Sequence, residues 1–163
     1  MSIVKTPRLI TPRHPKEIEA TRVIFREYAA GLGVDLCFQD FETELATLPG
    51  EYAEPWGALR LAKLGDQFAG SCAMRRLDAA DYPNACEMKR LFVRNSYRGM
   101  GLGRMLTESI MEAATVAGYK HLLLDTLDQM EAARSLYEDL GFQEIPPYYH
   151  NPITGAHYLM ASL

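Results

Sequence analysis

After Pro15, apolar residues recur at helical spacing. Ile18, Phe25, Tyr28, Ala29 and Leu32 fall on one face and predict an amphipathic helix over Pro15–Ala30, stopped by Gly31 and Gly33. Phe41, Leu45 and Leu48 mark a shorter second helix, ended by Pro49-Gly50. The period then changes. "GALRLAK" and "QFAGSCAMRRL" read as strands joined by a hairpin at Leu64-Gly65-Asp66, and "CEMKRLFV" (Cys86–Val93) as another strand beyond a loop, "DAADYPNA". Leu102, Met105, Leu106, Ile110, Ala113 and Ala117 restore the helical stripe, with Gly118 suited to its C′ position. "HLLLDT" has the short apolar run of a buried parallel strand. Asp128 and Glu131 have capping-box spacing ahead of a helix carrying Ala133, Leu136, Tyr137 and Leu140, which Gly141 closes. "RLIT" at the start, and "FQEI" and "HYLMASL" at the end, complete the strands. The order predicts an α/β fold with a mixed sheet containing a parallel strand-helix-strand crossover.

Composition narrows the partners. A chain of 163 residues suits one domain, taken as 1–163, with a core that needs no staples. A net charge of −4 gives nucleic acid no electrostatic encouragement and mildly favours a cationic or amine-bearing ligand. Cys37, Cys72 and Cys86 are odd in number and lack CxxC spacing. The histidines His14, His121, His150 and His157 form no zinc pattern. No run reaches the length of a membrane span, and the first residues have no signal-like apolar region. The expectation is a cytoplasmic protein without metal, nucleic-acid or membrane partners; a homodimer stays open.

The stretch with most chemical content is "NSYRGMGLGRMLTESI", where Gly99, Gly101 and Gly103 precede a helix. A dinucleotide fold wants G-x-G-x-x-G after the first strand, whereas this is G-x-G-x-G after the fourth. A P-loop wants G-K-[ST], whereas Gly103 is followed by Arg104 and Met105. Two readings remain: a glycine turn without a ligand, or an anion cradle. In a cradle, glycines let a ligand approach the backbone, successive N–H groups and the helix N-terminus face a diphosphate, and Arg98 adds a charged contact.

These residues resemble the GNAT superfamily of acetyl-CoA-dependent N-acetyltransferases. The fingerprint R/Q-x-x-G-x-G/A is met at Arg98, Gly101 and Gly103, and a second signature, A-x-x-L-Y-x-x-x-G-F, at Ala133, Leu136, Tyr137, Gly141 and Phe142. The likeness is strongest over Glu87–Phe142. It implies a mostly antiparallel mixed sheet of about six to seven strands with about four helices, its central strands splayed to admit coenzyme A. It further implies pairing of the pantetheine arm with Leu91, Phe92 and Val93. The diphosphate falls to the backbone of Arg98, Gly99, Met100, Gly101, Leu102 and Gly103, with Arg104 beside it. Tyr137 matches the acid that protonates the departing thiolate, with core packing as its other reading. Glu87 stands where many members keep a carboxylate base, with a surface ion pair to Lys89 or Arg76 as the alternative. One departure is Met130, where the family often has a cofactor-contacting asparagine; Gln129 is a substitute donor.

A base is needed because an amine of pKa near 10.4 is neutral in only about one molecule in 2,500 at pH 7. The freed amine then attacks the thioester directly, and a strand N–H of Leu91 or Val93 stabilises the oxyanion. Cys86 reads as a small strand residue rather than a nucleophile. Acceptor pockets of the family suggest two regions, one with Asp35, Phe38, Asp40, Phe41, Tyr52 and Trp56, the other with Tyr148, Tyr149, His150 and Asn151. Aromatic and acidic groups suit a cation, while Arg75 and Arg76 suit a carboxylate on the acceptor. The expectation is acetyl transfer to a small-molecule or protein amine; the alternative is a silent acyl-CoA-binding sensor of the same fold.

Overall fold

The computed structural model describes residues 6–33, 36, 40–79, 81–128 and 130–163. Among these, seven strands form one sheet in the order β1-β2-β3-β4-β5-β7-β6. They are β1 (Arg8–Ile10), β2 (Ala58–Leu64), β3 (Gln67–Ala79), β4 (Tyr82–Val93), β5 (His121–Leu127), β6 (Gln143–Ile145) and β7 (Ala156–Ser162). All neighbours are antiparallel except β4 and β5. Four α-helices accompany them: α1 (Pro15–Leu32), α2 (Phe41–Ala46), α3 (Leu102–Val116) and α4 (Glu131–Asp139). The mixed sheet and the helices match the expected fold class, and α3 supplies the expected crossover between β4 and β5.

The helical stripes bury as their spacing requires. Leu102, Leu106, Ile110 and Ala114 of α3 pack under one sheet face with Cys72, Met74, Cys86 and Met88, and α4 adds Tyr137 to that core. A second core lies under α1 and α2, where Phe25, Phe41, Leu45 and Tyr52 meet Leu59 and Ala73. Gly33, in the left-handed region at φ +67°, ends α1, and Gly118 follows α3 at φ +92°. Leu64 pairs with Gln67 across the expected two-residue hairpin turn.

Two local expectations are corrected. "DAADYPNA" is no long loop, because β3 runs on to Ala79 and β4 begins at Tyr82, and those two residues pair. Ladder bonds across the extended hairpin outweigh the turn preference of Pro83 and Asn84. Asp128 does not cap α4, whose N-cap is Met130 with no side-chain bond. The Asp128 carboxylate instead meets His157 of β7.

Candidate active site

β4 and β5 pair only at Ala85–His121, Cys86–Leu122 and Glu87–Leu123. Beyond that point β4 continues to Val93 and β5 to Leu127, yet the two strands no longer bond. β4 stays attached to β3, and β5 to β7. The sheet therefore opens into a wedge whose walls carry main-chain groups with no ladder partner across the gap. Such an edge can accept an extended, amide-bearing ligand as if it were a strand.

A bulge shapes the β4 wall. Ser71 pairs with Phe92 but Ala73 pairs with Lys89, so β4 spends one extra residue there. Arg90 sits in the bulge at φ +62°, a costly conformation for a residue with a Cβ. Its surroundings hold it. The Ser71 hydroxyl donates to the Arg90 carbonyl at 3.0 Å, and the Arg90 guanidinium forms a two-pronged pair with Glu44 of α2 at 2.9 and 2.8 Å. The Tyr28 and Phe41 rings lie beneath that guanidinium. The Arg90 side chain is only 2% exposed. Glu44→Gln leaves that charge buried without its counter-ion, and the expected cost is about 3–5 kcal/mol. A urea melt reads it as a lowered midpoint with an unchanged slope.

The wedge mouth is a cleft of about 790 Å³ lined by Leu91, Phe92 and Val93 on one side, Met130 and Ala133 on the other, and the Arg98–Arg104 turn across the top. The Arg98 N–H is taken by the Asn95 carbonyl at 3.3 Å, whereas the first bond of α3 runs from the Met105 N–H to the Gly101 carbonyl. Among the described residues, the N–H groups of Gly99 through Arg104 have no acceptor. Six consecutive unsatisfied donors at a helix N-terminus can take an anion. Gly99 and Gly101 have φ +81° and +78°, and a Cβ on either would meet nothing within 4 Å, so the space over them is open. The Arg98 Nε donates to the Val93 carbonyl at 3.1 Å, placing its guanidinium at the cleft. The Met100 side chain points to solvent, and the Leu102 side chain enters the core. Arg104 lines the cleft while pairing with Asp139 and Glu108.

Inward, the cleft narrows to a throat of about 40 Å³ between β4 and β5, where Leu91, Met130, Lys89 and Tyr137 converge. Tyr137 is 4% exposed and packs against Phe142 at 5.4 Å between ring centres. Burial pushes its phenol well above the ordinary tyrosine range. Its hydroxyl has no hydrogen-bond partner among the described residues, which is unusual for a buried polar group. Met130, in place of an amide, accepts a weak bond from the Thr126 hydroxyl at 3.6 Å. Gln129, Asp35 and Phe38 lie outside the described residues.

On the far side of the throat a second cleft, about 420 Å³, is lined by Arg75, Glu87, Lys89, Tyr148, Tyr149 and His150, among others. Glu87 is 1% exposed, not a surface residue. Its Oε1 accepts from Arg75 Nε and Nη2, each at 3.0 Å, and its Oε2 accepts from the Tyr148 hydroxyl at 2.6 Å. Arg75 also holds Glu51 at 2.7 Å, so its charge is already matched, and Arg76 pairs outside with Asp78. Tyr149 and Asn151 both donate to Asp125 of β5, at 2.7 and 3.1 Å. The Tyr148–Asn151 segment thus ties to a carboxylate on each wall of the wedge. The other aromatic candidates go elsewhere: Tyr52 and Phe41 are core, and Trp56 is exposed, its carbonyl receiving Tyr119. Burial pushes the Cys86 thiol up to about 12, which leaves no thiolate for a covalent route.

Sequence reasoning missed the bulge and the Glu44–Arg90 pair, and treated Lys89 only as a partner of Glu87. Register alone exposes them, since nothing local in "MKRL" marks a left-handed residue. No helix among the described residues is long and apolar enough to cross a membrane.

Comparisons with known proteins agree with this geometry. Residues 55–144 match the acetyltransferase (GNAT) domain family. An uncharacterised N-acetyltransferase of Schizosaccharomyces pombe is 35% identical over 145 residues, covering 89% of this chain and 88% of its own. The human N-acetylaspartate synthetase is 31% identical over 114 residues, 69% of this chain and 37% of that protein. Among solved structures, an acetyltransferase from Streptococcus agalactiae superposes with a TM-score of 0.78 at 23% identity, over 96% of this chain and 98% of that one. Fold and sequence relationship agree, and the chain belongs to the GNAT family of acetyltransferases.

Proposed function

We propose that this chain moves the acetyl group of acetyl-CoA to an amine by direct attack within a ternary complex. The observation that carries the reading is the run of unbonded amides, Gly99 through Arg104, at the mouth of the wedge between β4 and β5. The amides and Arg98 take the diphosphate, with charge-assisted bonds that exceed neutral ones in strength. The pantetheine arm lies along Leu91, Phe92 and Val93, its amides completing the β4 edge.

The amine enters from the Tyr148 side. Glu87 is too buried to touch it, so the Tyr148 hydroxyl relays: it receives the amine's proton as it passes its own to Glu87 Oε2. The neutral nitrogen attacks the thioester, a β4 N–H beside the bulge stabilises the oxyanion, and Tyr137 protonates the leaving sulfur. Each carboxylate lining the acceptor cleft (Glu44, Asp78 and Glu87) is matched by an arginine, so it is the Tyr148 and Tyr149 rings that favour a positively charged acceptor. An amino acid such as aspartate is the contrasting case, suggested by the synthetase relative's name. A thiol-release assay tests the reading with acetyl-CoA and a diamine, a lysine-like amine, a peptide N-terminus and aspartate. Release above hydrolysis with at least one amine is expected. Tight acetyl-CoA binding with no release from any amine across a broad panel would instead favour a non-catalytic acyl-CoA sensor.

A further inference from the structure

We propose that Lys89 is itself an acetylation site of this enzyme, taking the acetyl group from acetyl-CoA when no amine occupies the acceptor cleft. The inference rests on the cofactor reading above, but a different residue carries it. Among the described residues, Lys89 is the one lysine that lines both the throat and the acceptor cleft. Its side chain is 6% exposed, and its Nζ has no hydrogen-bond acceptor among the described residues. The nearest anion is Glu87 Oε1 at 3.8 Å, an oxygen already bonded twice by Arg75. A buried ammonium with no acceptor is poorly compensated, and the cheapest remedy is to lose the proton.

The surroundings point the same way. Burial acts first and pushes the Lys89 amine below the ordinary lysine range. Glu87 on its own strand and Asp125 on β5 oppose that, while Arg90 on β4 and Arg75 on β3 reinforce it. Lys89 therefore presents a neutral nitrogen more readily than a solvated lysine does. It presents it at the throat where the thioester of the bound donor would end.

The step balances without a further reactant. The Nζ lone pair attacks the thioester carbonyl carbon and a C–N bond forms. The C–S bond then breaks with its electron pair on sulfur. One proton leaves nitrogen and one reaches sulfur, through Tyr137, so the products are Nζ-acetyl-Lys89 and free coenzyme A. Acetylation turns the amine beside Glu87 into a longer amide that can no longer take up a proton and that occupies the throat. The modified enzyme is consequently slow with added amines. The device limits the enzyme when donor is present without acceptor.

The test incubates the intact protein with isotopically labelled acetyl-CoA and no amine, followed by peptide mass analysis. Label is expected on the Lys89 peptide at a rate on the order of tenfold or more above Lys16, Lys63 and Lys120, which line neither cleft. Labelling should quicken as pH rises, slow when an amine is added, and disappear from the urea-unfolded chain's selectivity. Activity should fall in step with the labelled fraction. Lys89→Arg and Lys89→Met should lose that label, and circular dichroism checks that each folds. Uniform labelling of all lysines, or none at Lys89 while calorimetry shows acetyl-CoA bound, overturns the proposal alone. No binding by calorimetry overturns the cofactor reading and this proposal with it.

Discussion

Gly101→Glu should lose acetyl-CoA binding by roughly 100-fold or more, because it removes about two charge-assisted hydrogen bonds of 1.5–3 kcal/mol each, and 1.4 kcal/mol is tenfold in affinity. Gly101 is the N-cap of α3 at φ +78°, and the space where its side chain would project is empty. The Cβ of a glutamate there therefore meets no collision. It suffers backbone strain of about 1–2 kcal/mol for a left-handed residue with a Cβ. It also puts a carboxylate where the free amides would otherwise meet a diphosphate, so the site satisfies itself and repels the ligand. A domain with a stability of about 5–15 kcal/mol survives the strain, so the variant should fold with a modestly lowered melting temperature. Gly101→Ala separates the two effects, since it carries the strain without the charge. The alanine variant should keep most of its affinity. Calorimetry with acetyl-CoA checks both, and unchanged affinity in the glutamate variant would remove the diphosphate from this turn.

Why this turn was legible and the acceptor side was not follows from the range of the interactions involved. Gly99, Gly101 and the α3 stripe are local signals: a left-handed backbone needs glycine, and a helix face needs a 3.6-residue repeat. Tyr137 was visible because its signature lies within one helix and the following turn. The wedge itself was expected only from resemblance, because parting of β4 from β5 depends on which residues stop pairing, and no single strand encodes that. Arg90 is the clearest failure. Its partner Glu44 lies 46 positions earlier, and its left-handed backbone is imposed by the bulge rather than preferred by arginine. For Glu87 the sequence left a base and a surface ion pair side by side, because carboxylates are usually exposed, and only the fold brings Arg75 and Tyr148 to cover it. Asp128 shows the reverse error, in which a correct local spacing lost to a tertiary partner, His157.

Tyr137→Phe carries the second large effect, a fall in kcat of about 10² to 10⁴ with little change in KM for acetyl-CoA. The phenol lines the throat, and its hydroxyl bonds nothing among the described residues. A tyrosine kept for packing alone would be equally well served by phenylalanine beside Phe142. Removing an unpartnered buried hydroxyl costs no hydrogen bond, so the variant should be as stable as the parent or slightly more so. That pairing of outcomes is the useful one, because a rate loss without a stability loss cannot come from a disturbed core. Burial holds the phenol protonated throughout the working range, which is the state a proton donor needs. Its proton is weakly acidic, but the departing thiolate makes the transfer favourable as the C–S bond breaks. A donor ester with a more acidic thiol needs less protonation, so the Tyr137→Phe deficit should shrink with such a donor. A variant that turns over at the parental rate with acetyl-CoA would return Tyr137 to the core and leave the sulfur to be protonated by water.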